Sequence, residues 1–341
     1  MRRNEMYDLS KVKVSNSPHI RSEDNTRQIM LDVIIGLLPA LVMSVFVFGA
    51  RALAMVCVSV IGCVVFEWLY NKLLKKPQSV SNLSAIVTGM LLAYTLPVTA
   101  QPWMILIGDF FAIVIVKSLY GGIGKNFLNP ALGGRAFLMA SYPVFMTNWC
   151  KVHTALPVLG KCDVVSSATP LSFLKAGQIP DVSLTDAALG MIGGCMGEVS
   201  ALALLVGGLW LLYRRVINLR IPVAFIGTVA VLTLIFSKGD QGAFTWMAYQ
   251  VLSGGLMLGA IFMATDYASS PVTPNGQILY GIGCGILTVL IRYFGSYPEG
   301  VSYAILIMNC CVFLIEKITQ PVKFGYVKPV KAPKAEKEAA K

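Results

Sequence analysis

The apolar residues of this chain come in blocks of bilayer-spanning length, and no other feature restricts its fold as strongly. About 20 mostly apolar residues are needed to cross the hydrocarbon of a membrane. Blocks of this kind run over about ten stretches: Ile29–Ala50, Ala52–Tyr70, Asn82–Leu96, Trp103–Leu119, Phe127–Thr147, Asp186–Tyr213, Pro222–Ser237, Met247–Thr265, Gln277–Phe294 and Val301–Ile318. Short polar gaps separate them. The pattern predicts an all-α integral membrane protein with about ten transmembrane helices. The third and fifth stretches are short and rich in Gly, Ser or Pro, so they are expected to be broken or re-entrant. Composition agrees: 13% of residues are charged and mean hydropathy is +0.69, whereas soluble domains carry about 25% charged residues.

The net charge of +11 does not indicate nucleic acid, because the basic residues lie in the gaps and tails rather than along one face. Their distribution sets orientation instead. With the N-terminus inside and the segments alternating, 22 of the 28 basic residues fall inside. Only Arg51, Lys151, Lys161, Lys175, Lys238 and Arg292 fall outside. Both termini are then cytoplasmic, and residues 148–185 form an outer loop.

The expected organisation is a cytoplasmic tail (1–28), a first membrane repeat (29–147), the outer loop (148–185), a second repeat (186–319) and a basic tail (320–341). Five segments per repeat would make the two halves inverted copies of each other. Val87–Leu92 and Ser253–Leu258 echo one another weakly. The N-terminal stretch lacks the apolar core of a cleaved signal peptide. The basic tail reads as disordered, and its lysines suit anionic headgroups of membrane lipids. Among the eight cysteines there is no CxxC pair, and metal-ligand spacing is absent. Most read as small buried hydrophobes. Cys150 and Cys162 share the outer loop, where an oxidising compartment would permit a disulfide; the sequence leaves that pairing open.

The outer loop carries Asp163-Val164-Val165-Ser166-Ser167-Ala168-Thr169-Pro170-Leu171. Thr169 followed by Pro170 is a standard helix start, with Thr as N-cap and Pro as first helical residue. A helix N-terminus also attracts phosphate, so the same threonine suits esterification by the phosphate of a flavin mononucleotide. Ionisable side chains at membrane depth are a second signal, since a charge in lipid is costly. Asp109 lies inside the fourth segment, Glu198 inside the sixth and Asp266 at the end of the eighth. They are candidate steps in a cation path; paired or protonated structural acids are the alternative.

The string Asp163-x-x-Ser166-x-Ala168-Thr169 resembles the site at which flavin transferases attach FMN to threonine. Ser167 stands where the commonest form has Gly. The chain from about Asn25 to Gln320 resembles the D subunit of the Rnf electron-transport complex and, less closely, the B subunit of the sodium-pumping NADH:quinone reductase. The resemblance rests on Lys125–Ala131, Gly134–Leu138, Gly197–Leu205, Phe262–Asp266, Ser270–Thr273 and Pro298–Val301.

It implies covalent FMN on Thr169 in an extracytoplasmic loop, with Asp163, Ser166 and Ala168 read by the transferase. It also implies a non-covalent riboflavin near Asn126 and Asn129, which otherwise read as helix caps. The implied partners are an extracytoplasmic FMN subunit, iron–sulfur subunits and the transferase. The implied activity is a redox-driven translocase that moves Na+ or H+ in the bacterial inner membrane, exchanging electrons between ferredoxin and NAD. With no nucleotide-binding loop and no iron–sulfur spacing, the chain is not catalytically complete alone. A plain transporter or channel would share the inverted halves and buried acids, and a scaffold would share the membrane anchoring; both predict a dispensable Thr169.

Overall fold

The structure, a computed structural model, describes residues 25–154, 156–160, 168–198, 200–238 and 242–321. Asp163, Ser166 and Cys162 lie outside the described residues, as do most of both expected tails. The described residues form helices joined by loops, with a single isolated bridge between Pro97 and Cys195.

Among the described residues, four helices meet the length and hydropathy of a membrane crossing. They are α1 (Thr26–Phe48), α2 (Ala50–Leu73), α13 (Pro274–Phe294) and α14 (Val301–Thr319). Their outer faces carry large exposed apolar side chains such as Val42, Phe46, Leu73, Phe294 and Phe313. A soluble protein would bury such faces; here they suit lipid. The chain is a multi-pass membrane protein.

The remaining segments are shorter or broken. The third is α3 (Ser84–Tyr94), preceded by a 3₁₀ turn at Val80–Asn82. The fourth is α4 (Pro102–Phe110), which continues as a π-helix over Phe111–Ser118. The fifth is α5 (Pro130–Ser141) and the short α6 (Pro143–Met146). In the outer loop lies α7 (Pro170–Lys175). The expected sixth segment is not one helix. It comprises α8 (Leu184–Leu189), a non-helical stretch and α9 (Ala201–Tyr213). Gly190, Gly193, Gly194 and Gly197 explain this break, because glycine weakens a helix interior. The seventh is α10 (Arg220–Ile235). The eighth is α11 (Ala243–Leu252), then α12 (Leu256–Leu258) running into a π-helix at Gly259–Met263, with a bend of 63° between them. The Val87–Leu92 and Ser253–Leu258 strings therefore differ locally: the first is helical and the second contains a break.

Helix α1 packs on α9, and α5 on α14. Helix α2 packs on α3 and α4, and α10 packs on α11 and α13. The α1–α9 crossing is the tightest: a Cβ added to Gly207 would lie 1.9 Å from the Gly36 carbonyl oxygen. Small residues let helix backbones approach this closely in a membrane.

Two buried arginines hold the breaks. Arg51, 1% exposed, donates to the carbonyls of Val98 (2.7 Å), Ala100 (3.0 Å), Pro157 (2.7 Å) and Gly160 (3.2 Å). Arg292 donates to the carbonyls of Gln250, Ser253 (3.2 Å) and Glu299 (3.2 Å). Two of the six basic residues assigned to the outer side thus serve as internal clamps.

Gly207→Ala should force α1 and α9 apart and lower the thermal midpoint in detergent, at a cost of roughly 1–3 kcal/mol for an overpacked contact. Gly227→Ala, inside α10, is the control, since a Cβ there meets nothing within 4 Å. It should be neutral to stabilising, by up to about 1 kcal/mol, because alanine is the better helix former.

Candidate functional site

Thr169 has extended backbone (φ −80°, ψ 155°), and its hydroxyl accepts from the Ser172 N–H at 3.3 Å. The expected N-cap is present. The helix it opens has only 6 residues, too few for a helix dipole to hold an anion with much force. Burial and position matter more. Thr169 is 9% exposed and lines a small cavity with Gly193, Gly194, Glu198, Gly254 and Glu299. Three glycines among these walls keep that space open. Ala168 is exposed beside it.

Glu198 is not inside a helix: it lies in the non-helical stretch between α8 and α9, which pairs with the loop after α3. Met196 N–H donates to Leu96 O (3.0 Å), Gly197 N–H to Tyr94 O (2.8 Å) and Cys195 Sγ to Thr95 O (3.1 Å). Glu198 is 7% exposed, and its Oε1 has no hydrogen-bond partner. The nearest cation is Arg135, whose Nη1 is 4.0 Å from that oxygen. Arg135 is committed elsewhere: its Nη2 donates to Glu299 Oε2 and approaches Cys195 Sγ at 3.6 Å.

Ligand-capable atoms of Cys195, Glu198 and Glu299 lie within 4.8 Å of one another. Sequence reading singled out neither Arg135 nor Glu299 as a site residue; only their presence in Gly134–Leu138 and Pro298–Val301 hinted at a role. On its other side Glu299 lines a small cavity with Arg135, Trp149, Tyr297 and Tyr303. The rings of Tyr297 and Tyr303 stack at 6.2 Å.

Asn126, Asn129 and Asp266 line a different cavity, of about 90 Å³, with Lys117, Thr88 and Phe262. Asn129 caps α5: its Oδ1 accepts from Ala131 N–H (3.1 Å) and Leu132 N–H (3.3 Å), while its Nδ2 donates to Met263 O (3.2 Å). Its amide is therefore occupied by the fold. Asn126 Nδ2 donates to Leu128 O at 2.9 Å. The Ser269 hydroxyl donates to the Asp266 carboxylate at 2.9 Å. Lys117, counted among the inner-side basic residues, is instead buried: it is held by Glu67 Oε2 (2.8 Å) and Ser84 Oγ (2.8 Å), and both charges are 3% exposed.

Asp109 belongs to neither cavity. It lies near the end of α4 beside the π-helix and is 0% exposed; Ser59 Oγ donates to its Oδ1 at 2.6 Å and Cys63 Sγ at 3.3 Å. Its Oδ2 has no partner. The three acids read as one cation path thus occupy three separate places.

The glycine walls at Gly193, Gly194 and Gly254 suit a phosphoester on Thr169, whereas the charged side chains lining the cavity, Glu198 and Glu299, are acids. The profile of the family described as NQR2, RnfD, RnfE matches residues 13–325. The chain belongs to this family. It is 49% identical to the D subunit of the Na(+)-translocating ferredoxin:NAD(+) oxidoreductase complex of Acetobacterium woodii, over 94% of this chain and 98% of that one. It is 44% identical to the D subunit of the proton-translocating ferredoxin:NAD(+) oxidoreductase complex of Clostridium ljungdahlii, over 92% and 96%. It is 37% identical to the D subunit of the ion-translocating oxidoreductase complex of Actinobacillus succinogenes, over 92% and 98%. Within this family, relatives of similar identity carry names with different ions.

Lys117→Met should leave the buried Glu67 carboxylate unpaired and cost about 3–5 kcal/mol, whereas removing both charges together should restore most of the loss. Thermal unfolding of Lys117→Met and of Lys117→Met/Glu67→Met in detergent checks this.

Proposed function

We propose that the chain is the D subunit of an ion-translocating ferredoxin:NAD oxidoreductase complex and carries FMN as a phosphoester on Thr169. The observation that carries the reading is Thr169 itself. It ends the Asp163-x-x-Ser166-x-Ala168-Thr169 string, and it lines a cavity with two acids, Glu198 and Glu299. FMN would supply one- and two-electron redox chemistry. Thr169 fixes one end of it, and the neighbouring cavity of Trp149, Tyr297 and Tyr303 has the flat aromatic walls on which a planar ring stacks. Arg135 lines that cavity and stabilises negative charge there.

A second, non-covalent flavin, riboflavin, would lie at the cavity that Asn126 and Asn129 line together with Thr88, Lys117 and Asp266. Glu198, Asp109 and Asp266 are the acids available to a Na+ or H+ route.

The packing supports two inverted five-helix repeats within a ten-segment protein. Mapping α1–α5 onto α9, α10, α11–α12, α13 and α14 matches α2–α3 to α10–α11 and α2–α4 to α10–α13. It leaves α1–α9 and α5–α14 as the pairs formed between equivalent helices. Both termini would be cytoplasmic in the bacterial inner membrane, with the Thr169 loop outside. Electrons would arrive there from an extracytoplasmic FMN subunit, with iron–sulfur subunits and a flavin transferase as further partners.

In-gel fluorescence and intact mass of the denatured protein, co-expressed with a flavin transferase, test the reading. The parent should fluoresce and carry the added mass of esterified FMN. Thr169→Val should be dark and unmodified. A dark parent, with the transferase active on another substrate, would favour a plain transporter.

A further inference from the structure

Helices α10 and α13 run side by side in the same direction. Arg220 Nη1 lies 3.5 Å from Gln277 Oε1. Further along, a Cβ on Gly281 would lie 2.8 Å from Ala224 Cβ, and one on Gly285 would lie 2.6 Å from Thr228 Cβ. The glycines let the two backbones close into a seam. Larger side chains stand on either side of it, Leu219, Val223 and Val231 on α10 and Ile278, Ile282 and Ile286 on α13, and all six are exposed. Between these rows runs a groove of about 660 Å³, with Ala224, Gly227 and Thr228 also lining it. Gly227 stands midway between Val223 and Val231 in the α10 row, and a Cβ there meets nothing within 4 Å. The Thr228 hydroxyl is used inside α10, where it donates to Ala224 O at 2.7 Å. The groove is therefore apolar along its length.

The charged residue lining it is Arg220, in the first turn of α10, and no acid lines it. Among the described residues Arg220 forms no ion pair, and the nearby Asp32 is taken by Arg214 at 3.1 Å. The shared direction of the two helices brings the start of α13, at Pro274, to the same end, and helix N-termini carry partial positive charge. From Leu219 to Leu232 the groove follows α10 for about 20 Å at the helical rise. We propose that this groove holds one anionic glycerophospholipid, with its headgroup phosphate on Arg220 and one acyl chain laid across Gly227. A guanidinium pairs well with phosphate. The ammonium of a zwitterionic headgroup would meet the same positive end, so a headgroup of net negative charge is favoured. The length also selects the occupant. A partner's transmembrane helix crosses the whole ~30 Å of hydrocarbon, whereas an acyl chain fills one leaflet, about half of that, and the groove stops at Leu232 and Ile286. The bound lipid covers the seam and ties α10 to α13.

Native mass spectrometry of the full chain in detergent tests this, with phosphatidylglycerol and phosphatidylethanolamine of matched acyl chains as the probes. The parent should bind one phosphatidylglycerol at least about tenfold more tightly than phosphatidylethanolamine, the scale of one charge-assisted contact. Arg220→Gln should abolish that preference. Gly227→Leu, which fills the groove, should weaken phosphatidylglycerol binding by a similar factor. Leucine is a better helix former than glycine and its Cβ enters open space there, so this variant keeps its fold. Equal binding of the two lipids by the parent overturns the proposal, and that comparison needs no substitution. A preference that survives Arg220→Gln, or unchanged binding in Gly227→Leu, overturns it as well. In the purified complex, a photoreactive benzophenone side chain in place of Val231 should cross-link to lipid. A cross-link to another subunit would identify a partner helix as the occupant and overturn the proposal.

Discussion

Every backbone N–H and C=O within a bilayer must find a partner inside the protein, because hydrocarbon offers none. Continuous helices such as α1, α2, α13 and α14 meet this demand by themselves. The shorter elements do not, and the architecture follows from how their breaks are closed. The loop after α3 and the stretch before α9 close on each other, through Met196 to Leu96 and Gly197 to Tyr94. Arg51 collects the carbonyls of Val98 and Ala100, and Arg292 those of Gln250 and Ser253. A guanidinium is suited to this work: it presents five donors in a rigid fork and stays charged.

The same breaks build the site. A continuous sixth helix would satisfy its own backbone and keep Glu198 on a helical face. With the helix interrupted by glycines, the carboxylate enters a cavity with Thr169, Glu299 and Gly254. Residues far apart in the chain then share one electrostatic environment, as with Arg135 and Glu299, which are 164 positions apart. The second cavity depends on irregular structure too. It collects Lys117, at the end of a π-helix, and Asp266, just after another. Such π segments are frequent at functional sites, since they shift the register of a helix face.

Polar groups in this protein fall into two physical classes. Lys117 with Glu67, and Arg135 with Glu299, are paired charges. Asp109 Oδ2 and Glu198 Oε1 are buried oxygens without partners. They differ in surroundings. Both are closely approached: a Cβ on Gly62 would lie 2.6 Å from Asp109 Oδ2, and one on Gly255 2.7 Å from Glu198 Oε1. Neutral donors serve the other Asp109 oxygen, whereas Glu198 Oε1 has the Arg135 guanidinium 4.0 Å away. A nearby counter-charge separates the two.

Local chemistry was enough to show the membrane class, the positions of the long terminal helices, the Thr169–Pro170 helix start and the cap at Asn129. Each depends on neighbours within a few residues: an apolar run, a hydroxyl before proline, an amide before proline. The short third and fifth segments were legible for the same reason, through their Gly, Ser and Pro content. The break in the sixth segment was overlooked although its glycines were visible, because apolar content and backbone preference conflict there. Tertiary structure alone decided that Asp109, Glu198 and Asp266 stand apart, that Glu299 and Arg135 adjoin Thr169, and that Lys117 shares a cavity with Asn126. Those groupings are set by which helix backbones approach at glycine, as Gly207 does at Gly36, and by which carbonyls the buried arginines gather. Neither leaves a mark at any fixed spacing along the chain.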